Sequence, residues 1–302
     1  ALDTQVLTWG DTEITVVIPS DAGTGKIQVT HDDDSKVVST GDLTITYAEL
    51  NVISSFWSVS GATDYAYETR HIDDPDSPAS GGYTWEMFTD FFADTDVTGA
   101  KASFERALET WRCETKINWE ISGSATTVDV IASDGTNVIR FDNGDEGMGG
   151  LPDGVLGRCT SRLSGCGFFD DPDSAIYHIT ELDIVFDDVT SWETGPSLAT
   201  GSDVDFESVA LHELGHGHQL GHVIESTGAV MHYPLSVAEN IRTLTVDDIA
   251  GAGDVHSRST TIVACSESVM VDYDTSGCAS SINENELANA IKVFPNPASR
   301  EL

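Results

Sequence analysis

The stretch Leu211–His222, reading LHELGHGHQLGH, constrains this chain more than any other. Within it His212, Glu213 and His216 form an H-E-x-x-H pattern, and His222 follows a short way beyond. Helix positions four apart lie about 40° apart around the axis, so His212 and His216 can offer imidazole nitrogens to one metal ion. Glu213 stands beside that pair, where a carboxylate can take a proton from water held on the metal. His222 cannot join them on a continuing helix, because ten residues past His212 is about 15 Å along the axis, against a Zn–N bond of about 2.0–2.1 Å. The helix must therefore end after His216 and the chain must turn back. Gly217 and Gly221 suit such a turn, since glycine tolerates positive φ. Three neutral imidazoles leave one coordination position open for water, which is the donor set of a catalytic zinc rather than a structural one.

A bare H-E-x-x-H arises by chance, but two further features accompany it: the third histidine, and Met231 in the run Ala229-Val-Met-His-Tyr-Pro234. Together they resemble the extended zinc motif and Met-turn of the metzincin endopeptidases. The resemblance implies His212, His216 and His222 as zinc ligands and Glu213 as general base. One position departs from it: the family has glycine three residues after the second histidine, and here Gln219 stands there. The turn then falls to Gln219 in an unusual conformation, or to Gly217 or Gly221. His218 is a poor third ligand, lying about 240° round the helix from His212. Glu239 would serve in a rival set of two histidines and a glutamate. Met231 reads as a packed residue under the site, because a thioether is too soft to compete for Zn²⁺. The His-Tyr after Met231 resembles the astacin Met-turn, in which the tyrosine helps hold the oxyanion. Pro234 instead resembles the matrixins, so Tyr233 is a candidate for a catalytic or a structural role.

Charge excludes some functions. With 51 acidic and 14 basic residues the chain carries a formal net charge of −37, which repels nucleic acid and anionic membrane surfaces. Such a surface suits a secreted protein, and Asp clusters within it can hold Ca²⁺ through hard oxygen ligands. No run approaches the ~18 apolar residues of a membrane span, so no membrane insertion is expected. With no initiator Met and no signal peptide, the 302 residues are expected to begin inside a longer precursor. Of five cysteines, Cys159 with Cys166 and Cys265 with Cys278 are the simplest local disulfides in an oxidising compartment, leaving Cys113 over. None has C-x-x-C spacing, which argues against a separate cysteine zinc site.

Along the chain, residues 1–48 alternate with the two-residue period of strands at Ile14–Ile18, Lys26–Thr30 and Leu43–Tyr47, separated by turn-forming polar runs. Trp9–Ala48 resembles the later strands of an immunoglobulin-like TIG (IPT) domain, which implies a partial all-β sandwich acting as spacer or adhesion module. Residues 49–80 read as a connecting segment. A helix is expected from Gly99 to Thr115, with Ala102, Phe104, Ala107, Leu108 and Trp111 on one face. Strands follow at Ile117–Ile121, Val128–Ile131 and Val138–Phe141. The glycine-rich loop 144–157, with Asp142 before it and Asp145, Glu146 and Asp153 within it, reads as a flexible polar loop or a Ca²⁺ site.

Glu181–Asp188 is a clear strand, and with Trp192 after it resembles the matrixin subgroup of metzincins. The resemblance spans roughly Tyr83 to His256. It implies an edge strand at Val155–Arg162 that pairs with extended substrate, making Val155, Gly157 and Cys159 substrate-binding by β-augmentation. Asp205 or Ser202 can cap the active-site helix, and Thr245 can cap a last helix beginning near Asp247. Lys292-Val-Phe-Pro-Asn-Pro-Ala-Ser299 resembles the C-terminal sorting domain of type IX secretion substrates.

The expectation is an α+β metzincin-like catalytic domain over 81–260, with a twisted sheet, long helices and an active-site helix. A partial β-sandwich precedes it, a disulfide-containing linker at 261–282 follows, and a sorting domain starts at 283–302. The implied protein is a monomeric zinc endopeptidase acting on polypeptide substrate, exported through the periplasm by the type IX machinery to the medium or surface of a Gram-negative bacterium. A catalytically dead adhesin is the rival from another class, and intact Glu213 argues against it. A zinc hydrolase of a non-peptide bond is a second rival.

Overall fold

The computed structural model of this chain describes residues 2–19, 22–58, 61–78, 81–142, 151–167, 171–224 and 226–278. The sorting-type segment at 283–302, and Asp145 and Glu146 of the glycine-rich loop, lie outside the described residues.

Val6–Trp9 (β1) pairs antiparallel with Ile14–Val16 (β2), and Gly25–Thr30 (β3) with Lys36–Leu43 (β4). These are two separate two-stranded sheets whose apolar side chains, Leu7, Trp9 and Val38 among them, are exposed. The strand expected at Leu43–Tyr47 ends at Leu43, because Tyr47 is taken by another element. Its hydroxyl donates to Asp254 of the last helix, and its ring occupies the space a Cβ on Gly251 would need.

The segment expected to be a mere connection holds three strands: Ala48–Glu49 (β5), Asn51–Ser58 (β6) and Gly61–Glu68 (β7). β6 and β7 form a hairpin in continuous register from Asn51↔Glu68 to Ser58↔Gly61. Alternating Val52 and Phe56, then Tyr65 and Tyr67, were the signal for it.

Tyr83–Met87 (β8) opens the central sheet and leads through a short helix, Thr89–Phe92 (α1), to Ala100–Thr115 (α2). α2 buries Ala100, Ser103, Phe104, Ala107, Leu108, Trp111 and Thr115, the three- and four-residue steps of one helical face. Ala102, expected on that face, is exposed. Trp119–Ile121 (β9), Asn137–Phe141 (β10), Gly157–Cys166 (β11) and Ile176–Phe186 (β12) complete the sheet in the order β11-β12-β10-β8-β9. All neighbours run parallel except β11, the antiparallel edge. Residues 128–131 form no strand, and Asp129 turns instead to the buried Arg140, 2.6 Å from its Nε.

Trp192–Glu193 (β13) pairs with Val204–Asp205 (β14), which runs straight into Phe206–Gly217 (α3). Leu220–Gly221 (β15) returns antiparallel to β5, and Val246–Thr261 (α4) is the last helix. Thr245 caps it as the sequence suggests, and Asp248 completes a capping box that the sequence reading did not include. Between sheet and helices lies a core of Trp85, Trp111, Trp119, Phe104, Phe186 and Phe206, all essentially inaccessible.

The disulfides are Cys113–Cys278 and Cys166–Cys265, with Cys159 free, which corrects both expected pairs. Cys159 and Cys166 share the extended strand β11, which holds residues seven apart roughly 23 Å from one another. Cys265 and Cys278 lie on a segment that is part of the domain rather than a linker. It buries Ala264 and Met270, and its backbone bonds at Met270, Val271 and Tyr273 carry it past Ser259, Gly81 and Lys116. One end therefore meets β11 and the other meets α2.

Candidate active site

Asp205 starts α3 by accepting from the Ser208 amide at 3.0 Å, and is itself held by Arg242, whose Nε lies 2.9 Å away. On the helix thus anchored, His212 and His216 present their rings edge to face, with centroids 4.7 Å apart and planes at 89°. The Nδ1 of His212 donates to the carbonyl of Val230 at 2.7 Å, and that of His216 to Leu220 at 2.8 Å. With Nδ1 protonated in both, both Nε2 atoms carry lone pairs.

The turn back to His222 is made by Gln219, at φ 70°, while neither Gly217 nor Gly221 takes a positive φ. Its buried side chain compensates for that conformation: Nε2 donates to Ser161 Oγ at 2.8 Å and to the Gly217 carbonyl at 3.1 Å. The result places His222 Nε2 at 3.1 Å from that of His212 and 3.0 Å from that of His216. Two nitrogens on one tetrahedral zinc stand about 3.3 Å apart. Two of these three nitrogens cannot donate, so only His222 can donate in these contacts, whereas one cation among them would use all three lone pairs. Burial lowers His212 to about 4 and His216 to about 3, and lowers His222 too, so all three are neutral ligands at pH 7. The donor set fits Zn²⁺.

His218 faces away, buried among Trp111, Trp119 and His71 with its Nε2 3.1 Å from Thr115 Oγ1. Glu239, the rival ligand, accepts from the Ser236 amide at 2.9 Å and is not in the cluster.

Glu213 is buried, and its Oε2 has no hydrogen-bond partner among the described residues. Burial pushes its carboxyl up to about 8, offset in part by the Cys159 amide and Arg158. Gly157 at the start of β11 is what lets the strand approach so closely, since a Cβ there would lie 2.9 Å from Glu213 Cγ and Oε1. Met231 lies beneath the site, 2% exposed, with its sulfur where a Cβ on Gly215 would stand only 2.2 Å away. Asp248 of α4 holds this turn by accepting from the Val230 and Met231 amides at 3.1 and 3.3 Å.

A cleft of about 840 Å³ runs past these groups. Val155, Gly157 and Cys159 line it as the sequence suggests, and so does Tyr233, which is 60% exposed. Cys159 Sγ lies near Gly217, and burial raises its thiol well above the ordinary range. Sequence reasoning missed Leu50, Val52 and Thr69 on the same cleft, because the connecting segment was not seen to be a hairpin, and it did not single out Ser161 on the edge strand it expected.

Three histidines able to hold one metal ion, set on a helix and the turn after it beside a strand whose outer edge is unpaired among the described residues, define the class: a metallopeptidase-type α+β domain. The chain belongs to the matrixin family, whose model matches residues 80–257, more than half of its length. It is 35% identical over 153 residues to metalloendoproteinase 2-MMP of Arabidopsis thaliana, covering 50% of this chain and 35% of that protein. It is 33% identical over 164 residues to metalloendoproteinase 1-MMP of the same plant, covering 54% and 38%. The chain thus spans well under half the length of these relatives.

Proposed function

We propose that this chain is a secreted zinc endopeptidase. The observation that carries the reading is the convergence of three neutral imidazoles beside a buried carboxyl group whose Oε2 has no partner among the described residues, all on a cleft bounded by a strand edge unpaired among those residues. His212, His216 and His222 would hold the metal. When bound, zinc acts as a Lewis acid toward water and a carbonyl. A cation held by the three histidines would favour the ionised form of the Glu213 carboxyl, which would then take the proton of the attacking water and pass it to the leaving amine. β11 pairs only with β12 among the described residues, so its other edge is placed to align an extended peptide by backbone hydrogen bonds. Tyr233, on the cleft wall, would be a candidate donor to the developing oxyanion, with a structural role as the alternative.

The test is hydrolysis of quenched fluorescent casein. Glu213→Ala is expected to lower kcat by about 10²–10⁴-fold with zinc content unchanged, and chelation to abolish activity that added Zn²⁺ restores. A wild type that binds one zinc yet cleaves neither casein nor other polypeptides would move the adhesin and non-peptide readings ahead. A protein that binds no zinc would sink the proposal.

Asp142, Asp187 and Asp188 are assigned a structural Ca²⁺. Their carboxylate oxygens lie within 4.8 Å of one another, and burial together with Asp142 raises the Asp188 carboxyl. Micromolar to millimolar CaCl₂ is expected to raise Tm, and Asp187→Ala to remove that response. An identical response in the variant argues against calcium here.

Export by the type IX machinery rests on the Lys292–Ser299 run, and a TIG-like spacer role for residues 1–48 on their strand pattern. Mass spectrometry of culture medium should find a mature chain ending before that run; a chain retained in the cytoplasm would refute export.

A further inference from the structure

The hairpin β6–β7 lies outside the matrixin stretch, yet its root is built onto the metal site. β5 pairs with the two residues that precede His222, Leu220↔Glu49 and Gly221↔Ala48. The Leu50 amide then donates to the Gln219 carbonyl at 2.8 Å. Thr69, at the hairpin's other foot, donates through Oγ1 to the Leu50 carbonyl at 3.3 Å and lies 3.4 Å from Gln219 Oε1. Arg258 of α4 clasps both feet, by a salt bridge to Glu49 and by a 2.6 Å hydrogen bond from Nε to the Thr69 carbonyl. Because Gln219 also donates to Ser161, the hairpin root, the turn that delivers His222 and the edge strand form one hydrogen-bonded unit. Further out, Tyr67 packs on Tyr177 with centroids 5.3 Å apart and donates to the Pro172 carbonyl at 2.9 Å, which fixes β7 against the start of β12.

A wall so anchored faces the cleft. Leu50, Asn51 and Val52 line the cavity that contains the metal site, together with Ser161 and Leu163 of β11. Leu50 and Val52 are half-buried and Leu163 is 39% exposed, so three apolar side chains remain partly open to water in a chain of net charge −37. The cavity is continuous with the zinc site and its floor is an open strand edge, so the occupant that fits is the substrate polypeptide itself. Gly157 touches Glu213, and Leu163 lies beyond it across one bulge of the same strand. That separation is about 20 Å, or roughly five or six residues of an extended peptide.

We propose that Leu50, Val52 and Leu163 form an apolar subsite for a substrate side chain far from the scissile bond, so that the hairpin outside the catalytic family domain sets specificity. This rests on the peptidase reading. It is tested with fluorogenic peptides centred on a bond cleaved in casein: a short one, and longer ones extended to either side with leucine or aspartate about five residues away. For one direction of extension, leucine is expected to exceed aspartate by about tenfold in kcat/KM, mostly through KM. Val52→Asp should collapse that ratio, while Ile53→Asp, on the exposed opposite face of β6, keeps it. Zinc content and Tm verify that both variants fold. A ratio near one in the wild type for both directions, or a ratio that Val52→Asp leaves intact, overturns the subsite. Failure to cleave even the short peptide, when zinc is bound, strikes the peptidase reading instead.

Discussion

Gln219 and Gly215 show how much a single position can decide. A glycine at 219 would turn without strain, but glutamine supplies the amide that joins Ser161 to the helix end, and those bonds offset a left-handed conformation costing about 1–2 kcal/mol. Gly215 works by absence, leaving room for the Met231 sulfur. His71 is the residue with the clearest measurable signature. It is fully buried against Tyr83, Trp119 and His218, and neither ring nitrogen has a partner. Burial lowers it well below 6.5, with His218, His256 and Arg258 adding like charge. The unfolded chain therefore takes a proton here below about pH 6.5 while the folded chain does not. The stability tied to neutral His71 is complete above that pH and is lost as pH falls. His71→Phe keeps the shape and removes the proton. The Tm of the variant is expected to decline less steeply from pH 7 to 4.5, opening a gap of several degrees over the wild type. Parallel curves would show that His71 is protonated without cost, and the burial argument would fail.

At the scale of elements, the segment 262–278 is the clasp of the domain. Its disulfides close chain separations of 165 and 99 residues, which the chain-entropy view values at about 4–5 kcal/mol each before native strain. Cys278→Ser is expected to lower Tm markedly by releasing the end of α2, with the zinc ligands left in place. Cys159 gives the matching test of the pairing. Half-buried on the cleft beside Glu213, with its thiol raised, it should react slowly with Ellman's reagent in the native protein and titrate as one thiol per chain once unfolded without reductant. Three thiols would mean that one disulfide is absent, whereas a single thiol traced to Cys113, with a peptide linking Cys159 to Cys166, would restore the pairing that sequence spacing suggests. That pairing was misleading for a physical reason: nearness in sequence is not nearness in space along a strand. The active-site helix was legible because its motif, cap and buried face all repeat at helical period. The turn after it was legible only as a set of alternatives, since Gln219 gains its conformation from partners on β11 that no local pattern announces.

For the whole molecule, the matrixin-like core could be read from sequence because its strands and helices alternate in uninterrupted patterns that carry the zinc motif. The hairpin could not, because its weak alternation lies between polar runs and acquires meaning only where its root meets His222. Net charge is a global property that the sequence states outright, and its consequence is equally global. With 51 acidic groups against 14 basic ones, most carboxylates have no cation to pair with. Exposed pairs such as Lys26–Asp42 and Lys116–Asp272 are worth at most about 1 kcal/mol each. Repulsion among the remaining charges is stronger in the compact state than in the expanded one, so screening should stabilise the fold. Raising NaCl from about 0.05 to 0.5 M shortens the Debye length from about 14 to about 4 Å. The Tm is expected to rise monotonically across that range, and to rise alike with KCl, since screening does not distinguish the two cations. Calorimetry in metal-free NaCl separates this effect from the calcium response, which should saturate at far lower concentration and require Asp187. A Tm that falls with added NaCl would mean that the few ion pairs, and buried ones such as Arg162 with Asp183 above all, outweigh the repulsion of the entire acidic surface.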